Sequence, residues 1–300
     1  MSRDALVVGI NYYEDKTLQL TAPVEDAKAI AQRLQQDGNF KVRTLLATAN
    51  NSRIFLTQLE DALVQLFQPD SQQIPDTALF YFSGHGLQKK KAFSEGFLAS
   101  SDVYPDAGLY GLPLQWLRRL LSESQIKQQI IWLDCCHSGE LLVAEANPKD
   151  QGQARDRCFI AASRQFESAY EGLNTPYSAM TKVLLEGLDP THYLDQRVTN
   201  DTLTTYIRNH FKGSSQRVIF HNSGDVIELI RCQTTPVTKP QTSASDICPY
   251  KGLEFFALIR HWKPLRKWLS DSRDHLRKKR QIEAAAADWR NHDQAKDYLL

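Results

Sequence analysis

The stretch TALFYFSGHG, residues 77–86, runs a strand-forming segment straight into a glycine–histidine–glycine turn. A continuous apolar run of this length, without polar alternation, reads as a strand buried on both faces, as inside a parallel sheet. The glycines flanking His85 allow a sharp turn and a close approach of backbone to a substrate. A second stretch has the same form: IIWLDCCHSGE, residues 130–140, sends the strand IIWLD into Cys135, Cys136 and His137. In open parallel α/β sheets, ligands bind beyond the carboxyl ends of the strands. If these two strands are neighbours, His85 and a cysteine meet over the sheet edge.

Outward from these strands the same rhythm continues. ALVVGI (5–10) is a buried-strand run, followed by PVEDAKAIAQRL, where Val24, Ala27, Ile30, Ala31 and Leu34 share one helical face and Pro23 suits the first turn. VRTLL (42–46), CFIAAS, RVIF and VIELI read as strands; SRIFLTQLEDALVQLF, LQWLRRLL, YSAMTKVLLEGL and DTLTTYIRNHF read as helices. This alternation predicts an α/β fold, a mainly parallel sheet with helices on both faces. The polar stretch 143–157 interrupts the rhythm, and TTPVTKPQTSASD (234–246) has the composition of a linker. The expected division is a domain over 1–232, a linker over 233–246 and a helical appendage over 247–300.

Composition excludes several function classes. With 300 residues, a formal net charge of +1 and 24% charged residues, no global field advertises nucleic acid or an anionic membrane. No apolar run is long enough to cross a bilayer. The opening MSRDALVVGINYY lacks a signal-peptide cleavage pattern and reads as the first strand. The five cysteines, at 135, 136, 158, 232 and 248, are odd in number and scattered, which points to a reducing, cytoplasmic setting and not a disulfide framework.

Side chains alternate along an extended strand, so Cys135 and Cys136 point to opposite sides. Asp134 then shares a side with Cys136, and Ser83 with His85. One cysteine can face the histidine, while the other packs as a small hydrophobe. His137 should point away from the sulfur of Cys136, which makes it the poorer candidate for a base. A thiolate is the reactive form, and a nearby imidazole both assists deprotonation and protonates a leaving amine. Adjacent cysteines diverge, whereas structural zinc takes spaced pairs, so no metal site is expected. His210 and His221 read as structural. The Lys89–Lys91 run reads as a solvated loop.

YFSGHG followed by DCCHSGE, with 51 residues from His85 to Cys136, resembles the caspase-like cysteine peptidases (peptidase C14), in which the histidine lies about 50 residues upstream of the cysteine. The context of the cysteine is closer to metacaspases and bacterial orthocaspases than to animal caspases. ALVVGINYY with APVEDAKAIAQRL, and IAASRQFESAYE with VIFHNSGDVIEL, resemble further landmarks of that family. The resemblance covers roughly 1–232 and implies a caspase-hemoglobinase-like fold, with a large-subunit region about 1–142, a loop at 143–157 and a small-subunit region at 158–232.

The resemblance further implies that His85 is the general base and acid and Cys136 the nucleophile, with Gly86 and Cys136 giving backbone N–H groups to the oxyanion. It places Asp26, Ser83 and Asp134 in an acidic S1 pocket for arginine or lysine. A carboxylate two residues before the nucleophile suits a cationic P1 group on its own chemistry. Asp26 also has an ordinary alternative, a solvated place near the positive end of a helix, and Asp134 another, as a structural hydrogen-bond acceptor. Pro23 stands where some metacaspases carry a pocket-wall cysteine. The segment between the catalytic pair offers Asp102 and Asp106 but no dense acidic run, so no cofactor and no calcium dependence is expected. In the loop, Lys149, Arg155 and Arg157 are the candidate self-cleavage residues.

CPYKGLEFF (248–256) and LRKKRQIEAAAADWRNHDQAKDYLL resemble pieces of STAND NTPase–WD40 signalling proteins, but no phosphate-binding G-x-x-x-x-G-K-[ST] loop and no WD-type repeat occurs. The appendage reads as a remnant of such a module or as a generic amphipathic tail that packs on a signalling partner. The expected function is a cysteine endopeptidase acting on proteins or peptides after Arg or Lys. A catalytically silent caspase-like interaction module in a bacterial signalling complex is the alternative, and a redox or zinc protein built on Cys135 and Cys136 is a third.

Overall fold

The computed structural model describes residues 2–50, 53–70, 74–90, 94–136, 155–163, 176–193, 197–214 and 217–231. The chain divides into two compact units, Met1–Thr235 and Pro236–Leu300, and all described residues belong to the first. The expected linker and appendage lie outside the described residues.

Six strands form the main sheet: β1 (Arg3–Ile10), β2 (Lys41–Ala47), β3 (Thr77–Ser83), β7 (Gln128–Asp134), β8 (Asp156–Ser163) and β10 (Arg217–Ser223). Their order is β10-β8-β7-β3-β1-β2, parallel throughout except for β10, which runs antiparallel to β8. The apolar runs are buried on both faces, and their period of two sorts them between two cores. Leu6, Val8, Phe80, Phe82, Ile131 and Leu133 pack with helices α2 (Leu56–Phe67) and α3 (Leu114–Glu123). Val7, Leu79, Tyr81, Ile130, Trp132 and Ile160 pack with α1 (Pro23–Gln36), α4 (Ala179–Gly187) and α5 (Asn200–His210).

Helix α1 buries Val24, Ala27, Ile30, Ala31 and Leu34, with Pro23 in its first turn. Its N-cap residue Ala22 supplies no side-chain cap; the side chain of Asn11 instead accepts the N–H of Val24 at 2.9 Å, tying the helix start to the end of β1.

Two small sheets depart from the sequence expectation. β4 (Gly86–Lys90), β5 (Ser94–Leu98) and β6 (Leu112–Pro113) form an antiparallel sheet immediately after His85. Lys89 and Lys90 therefore belong to a strand, not a loop, and the Lys89 ammonium lies 5.9 Å from the Tyr110 ring centre. GLQKK and SEGFL carry neither an apolar run nor clean alternation, so pairing across the hairpin, which the sequence does not display, decides them. β9 (Arg197–Thr199) pairs with β11 (Glu228–Arg231) apart from the main sheet.

Candidate active site

β3 and β7 are neighbours, with Ser83 opposite Asp134 and Gly9 of β1 opposite Ser83. The SGHG turn, the Cys135–Cys136 turn and the loop after β1 therefore leave the sheet side by side at one carboxyl edge. This is also where strand order reverses about β1, the usual place for a ligand crevice.

Cys135 is fully buried and packs in the same core as Ile131 and Leu133, as alternation requires. Cys158 is buried as well, and burial pushes its thiol up to about 12. Of the described cysteines, only Cys136 reaches intermediate exposure. Gly86 lies directly against it: a Cβ on Gly86 would stand 1.7 Å from the Cys136 carbonyl oxygen and 3.2 Å from its nitrogen. Glycine is needed there for close approach of two backbones. His137 lies outside the described residues.

Alternation does not carry past Ser83, because β3 ends there and the chain bends at Gly84. Ser83 points to Asp26, whereas the ring of His85 rests beside Tyr13, 5.1 Å between ring centres. Thus His85 and Ser83 do not share a side as the strand periodicity predicts. The Nε2 of His85 lies 2.9 Å from the carbonyl oxygen of Leu18. A carbonyl can only accept, so Nε2 carries the ring proton and Nδ1 is the basic nitrogen of the neutral imidazole. Leu18 closes a 3-10 turn, Lys16–Leu18, whose start is capped by the carboxylate of Asp15 on Thr17 N at 2.9 Å. Gln19 donates from Nε2 to the Tyr13 carbonyl at 2.7 Å, and Glu14 N donates to Ser101 O at 2.7 Å, so the loop is braced on two sides.

On the other face of the edge stand two buried carboxylates. Asp26 is 0% and Asp134 1% exposed, so Asp26 does not take the solvated helix-end role that its position allows. Asp26 accepts from Ser83 Oγ at 3.0 Å and from Ser178 N at 2.9 Å. The Oδ2 of Asp134 accepts from the hydroxyls of Ser178 and of Thr181, the latter at 2.9 Å. Ser178 is the N-cap of α4, so the positive end of that helix faces this acidic pair. Tyr81 joins the network through a 2.6 Å contact of its hydroxyl with Thr181 Oγ1, and burial first, then Asp26 and Asp134, holds its phenol well above the ordinary range. Sequence reasoning missed Ser178 and Thr181. SAMT ahead of an apolar run is a legible helix start, but nothing local says which residues that start will meet. Pro23 is buried at the first position of α1, one turn from Asp26.

Residues 2–243 match the family model of the caspase domain, peptidase C14. The chain belongs to the caspase-domain family of cysteine peptidases. The solved structure of the Drosophila initiator caspase Dronc is similar to this caspase domain in fold, with a TM-score of 0.51 at 15% identity over 76% of this chain and 82% of that chain. Residues 249–297 match a second family, Novel STAND NTPase 1. No curated protein sequence matches the chain.

The remaining residues singled out in the caspase domain fall away from this edge. Arg155 precedes β8 and donates from Nη1 to the Ser122 carbonyl at 2.7 Å, while Arg157 lies in β8 opposite Gln129. That is the amino end of the sheet, roughly 20 Å from the carboxyl edge at ~3.3 Å per residue. Arg155 lies just before β8, and Arg157 is paired on both sides, with Gln129 of β7 and Ser223 of β10. Lys149 lies outside the described residues. Asp102 accepts the Leu56 N–H at 3.2 Å, capping α2, and Asp106 sits in a separate short turn. His210 packs edge-on against Phe211 and His221 lies beside Phe159. Among the described residues no cluster of His, Cys, Asp and Glu is placed to hold a metal, and no helix is long and apolar enough to cross a membrane.

Proposed function

We propose that this caspase domain is a cytoplasmic cysteine endopeptidase of the metacaspase or orthocaspase type that cleaves after Arg or Lys, without calcium. The observation that carries it is His85, held through Nε2 by the Leu18 carbonyl on a turn whose next residue, Gly86, lies against Cys136. The Nδ1 of His85 takes the proton of the Cys136 thiol, and the thiolate attacks the scissile carbonyl. The backbone N–H groups of Gly86 and Cys136 receive the oxyanion. His85 then gives its proton to the leaving amine, and the C–N bond breaks to leave a thioester on Cys136. Water, deprotonated by His85, attacks the thioester, and collapse returns the carboxylic acid and the thiol. Asp26 and Asp134, with Ser83, form the negative site for a basic P1 side chain.

The test uses peptides with P1 Arg, Lys and Asp against wild type, His85→Ala, Cys136→Ala and Cys135→Ala, in chelator and in added calcium. Turnover of the Arg and Lys peptides, lost in Cys136→Ala and His85→Ala and kept in Cys135→Ala, supports the proposal. Silence on all three peptides, or loss in Cys135→Ala alone, overturns it. Processing of the chain itself, if it occurs, is expected after Lys149 and not after Arg155 or Arg157. The match of 249–297 to a STAND NTPase family favours a second role, engagement of a signalling partner through the C-terminal unit.

A further inference from the structure

The loop that follows β1 touches His85 at two points. Leu18 holds the ring at Nε2, and Tyr13 holds the backbone: the His85 N–H donates to the Tyr13 phenol oxygen at 2.9 Å. Tyr13 is completely buried, its ring tilts against the imidazole at 56°, and its hydroxyl sits under the preceding residue, where a Cβ on Gly84 would come within 2.8 Å of it. The phenol thus fills the inside of the SGHG turn. The carbonyl side of His85 is held separately, by Ala99 N at 3.0 Å, and the Phe82 ring shares the floor under Gly84, so loss of the phenol frees the N–H side of the turn.

Resting on the assignment of His85 and Cys136 as the catalytic pair, we propose that Tyr13 is a positioning residue, which fixes the backbone of the SGHG turn so that the imidazole held at Nε2 presents Nδ1 to Cys136. Two anchors are required because one leaves a rotation free. A ring held only at Nε2 pivots about that bond and carries Nδ1 along an arc, whereas a second hold on the main-chain N–H fixes the Cα from which the ring hangs. Burial raises the Tyr13 phenol well above its usual ionisation, so it acts as a neutral acceptor and not as a base. The S1 carboxylates bond Ser83, Ser178 and Thr181 on the other side of the turn, so substrate binding and proton transfer should separate.

Tyr13→Phe keeps the ring and removes the acceptor. The expected result is a fall in kcat of roughly 10- to 100-fold on a P1-Arg peptide, the cost of an ångström-scale misplacement, with KM within about threefold of wild type. A second readout is the pH dependence of Cys136 alkylation by iodoacetamide in folded protein. The expected wild-type midpoint lies below the ordinary thiol value of about 8.5, and in Tyr13→Phe it should move up toward that value. A merely structural role lowers the melting temperature without moving that midpoint. His85→Ala is the control. If His85→Ala leaves the alkylation profile unchanged, the catalytic pair itself is wrong. If His85→Ala shifts the profile and Tyr13→Phe does not, or if Tyr13→Phe keeps wild-type kcat, the pair stands and the role of Tyr13 is refuted.

Discussion

Replacing Asp26 by asparagine separates the charge of the acidic pocket from its shape. Asparagine can keep the hydrogen bonds to Ser178 and Ser83. Its Oδ1 accepts from Ser178 N, an obligate donor, and its Nδ2 donates to Ser83 Oγ, a hydroxyl that can reverse its role. What disappears is one negative charge in a site that is 0% exposed. At an effective dielectric of 20, a guanidinium 4 Å from a carboxylate gains about 4 kcal/mol. Asp134 remains in place and part of this gain offsets desolvation, so the lower end of the range for disrupted buried charge pairs applies, about 2–3 kcal/mol. That is roughly a 30- to 150-fold fall in kcat/KM.

The assay compares a P1-Arg peptide with the same peptide carrying citrulline, which has nearly the shape of arginine and no charge. In Asp26→Asn, the arginine peptide should lose that factor while the citrulline peptide changes by less than about threefold, the lost interaction being with the substrate charge. If the two peptides fall together, Asp26 is structural. If neither changes, no P1 cation reaches it. Either result refutes the pocket.

Two further outcomes test the edge and the core. Gly86→Ala places a Cβ 1.7 Å from the Cys136 carbonyl oxygen, so the two backbones must part by more than an ångström; kcat should drop at least about 100-fold, and activity within threefold of wild type would show that the approach is not needed. Cys158, raised from 9.0 to about 12 in the fold, stays protonated where the unfolded chain ionises, so its contribution to stability is complete below pH 9 and is lost as pH rises toward 12. Urea titrations between pH 9 and 10.5 should show Cys158→Ala with a pH slope flatter by up to one proton, about 1.4 kcal/mol per pH unit; equal slopes would refute the burial argument.

The sequence by itself determined the features that repeat locally. Apolar runs marked the buried strands, a shared helical face marked the inner side of α1, and alternation sent Cys135 into the core beside Ile131 and Leu133. Strand ends followed by SGHG and DCCHSG placed His85 and Cys136 at one edge, because chemistry at a strand's carboxyl end needs no knowledge of the rest of the chain. Tertiary structure decided the partners. Leu18 reaches His85 across 67 positions through a carbonyl that is chemically like every other carbonyl in the sequence. Ser178 reaches Asp134 across 44 positions from a helix start that looks like an ordinary cap. Arg155 and Arg157 look like exposed loop cations in the sequence, and only strand pairing reveals that Arg157 lies in β8, with Arg155 just before it, at the far end of the sheet. Periodicity is a property of neighbours along the chain and can be read there, whereas which backbone group meets a side chain depends on the path of the whole sheet.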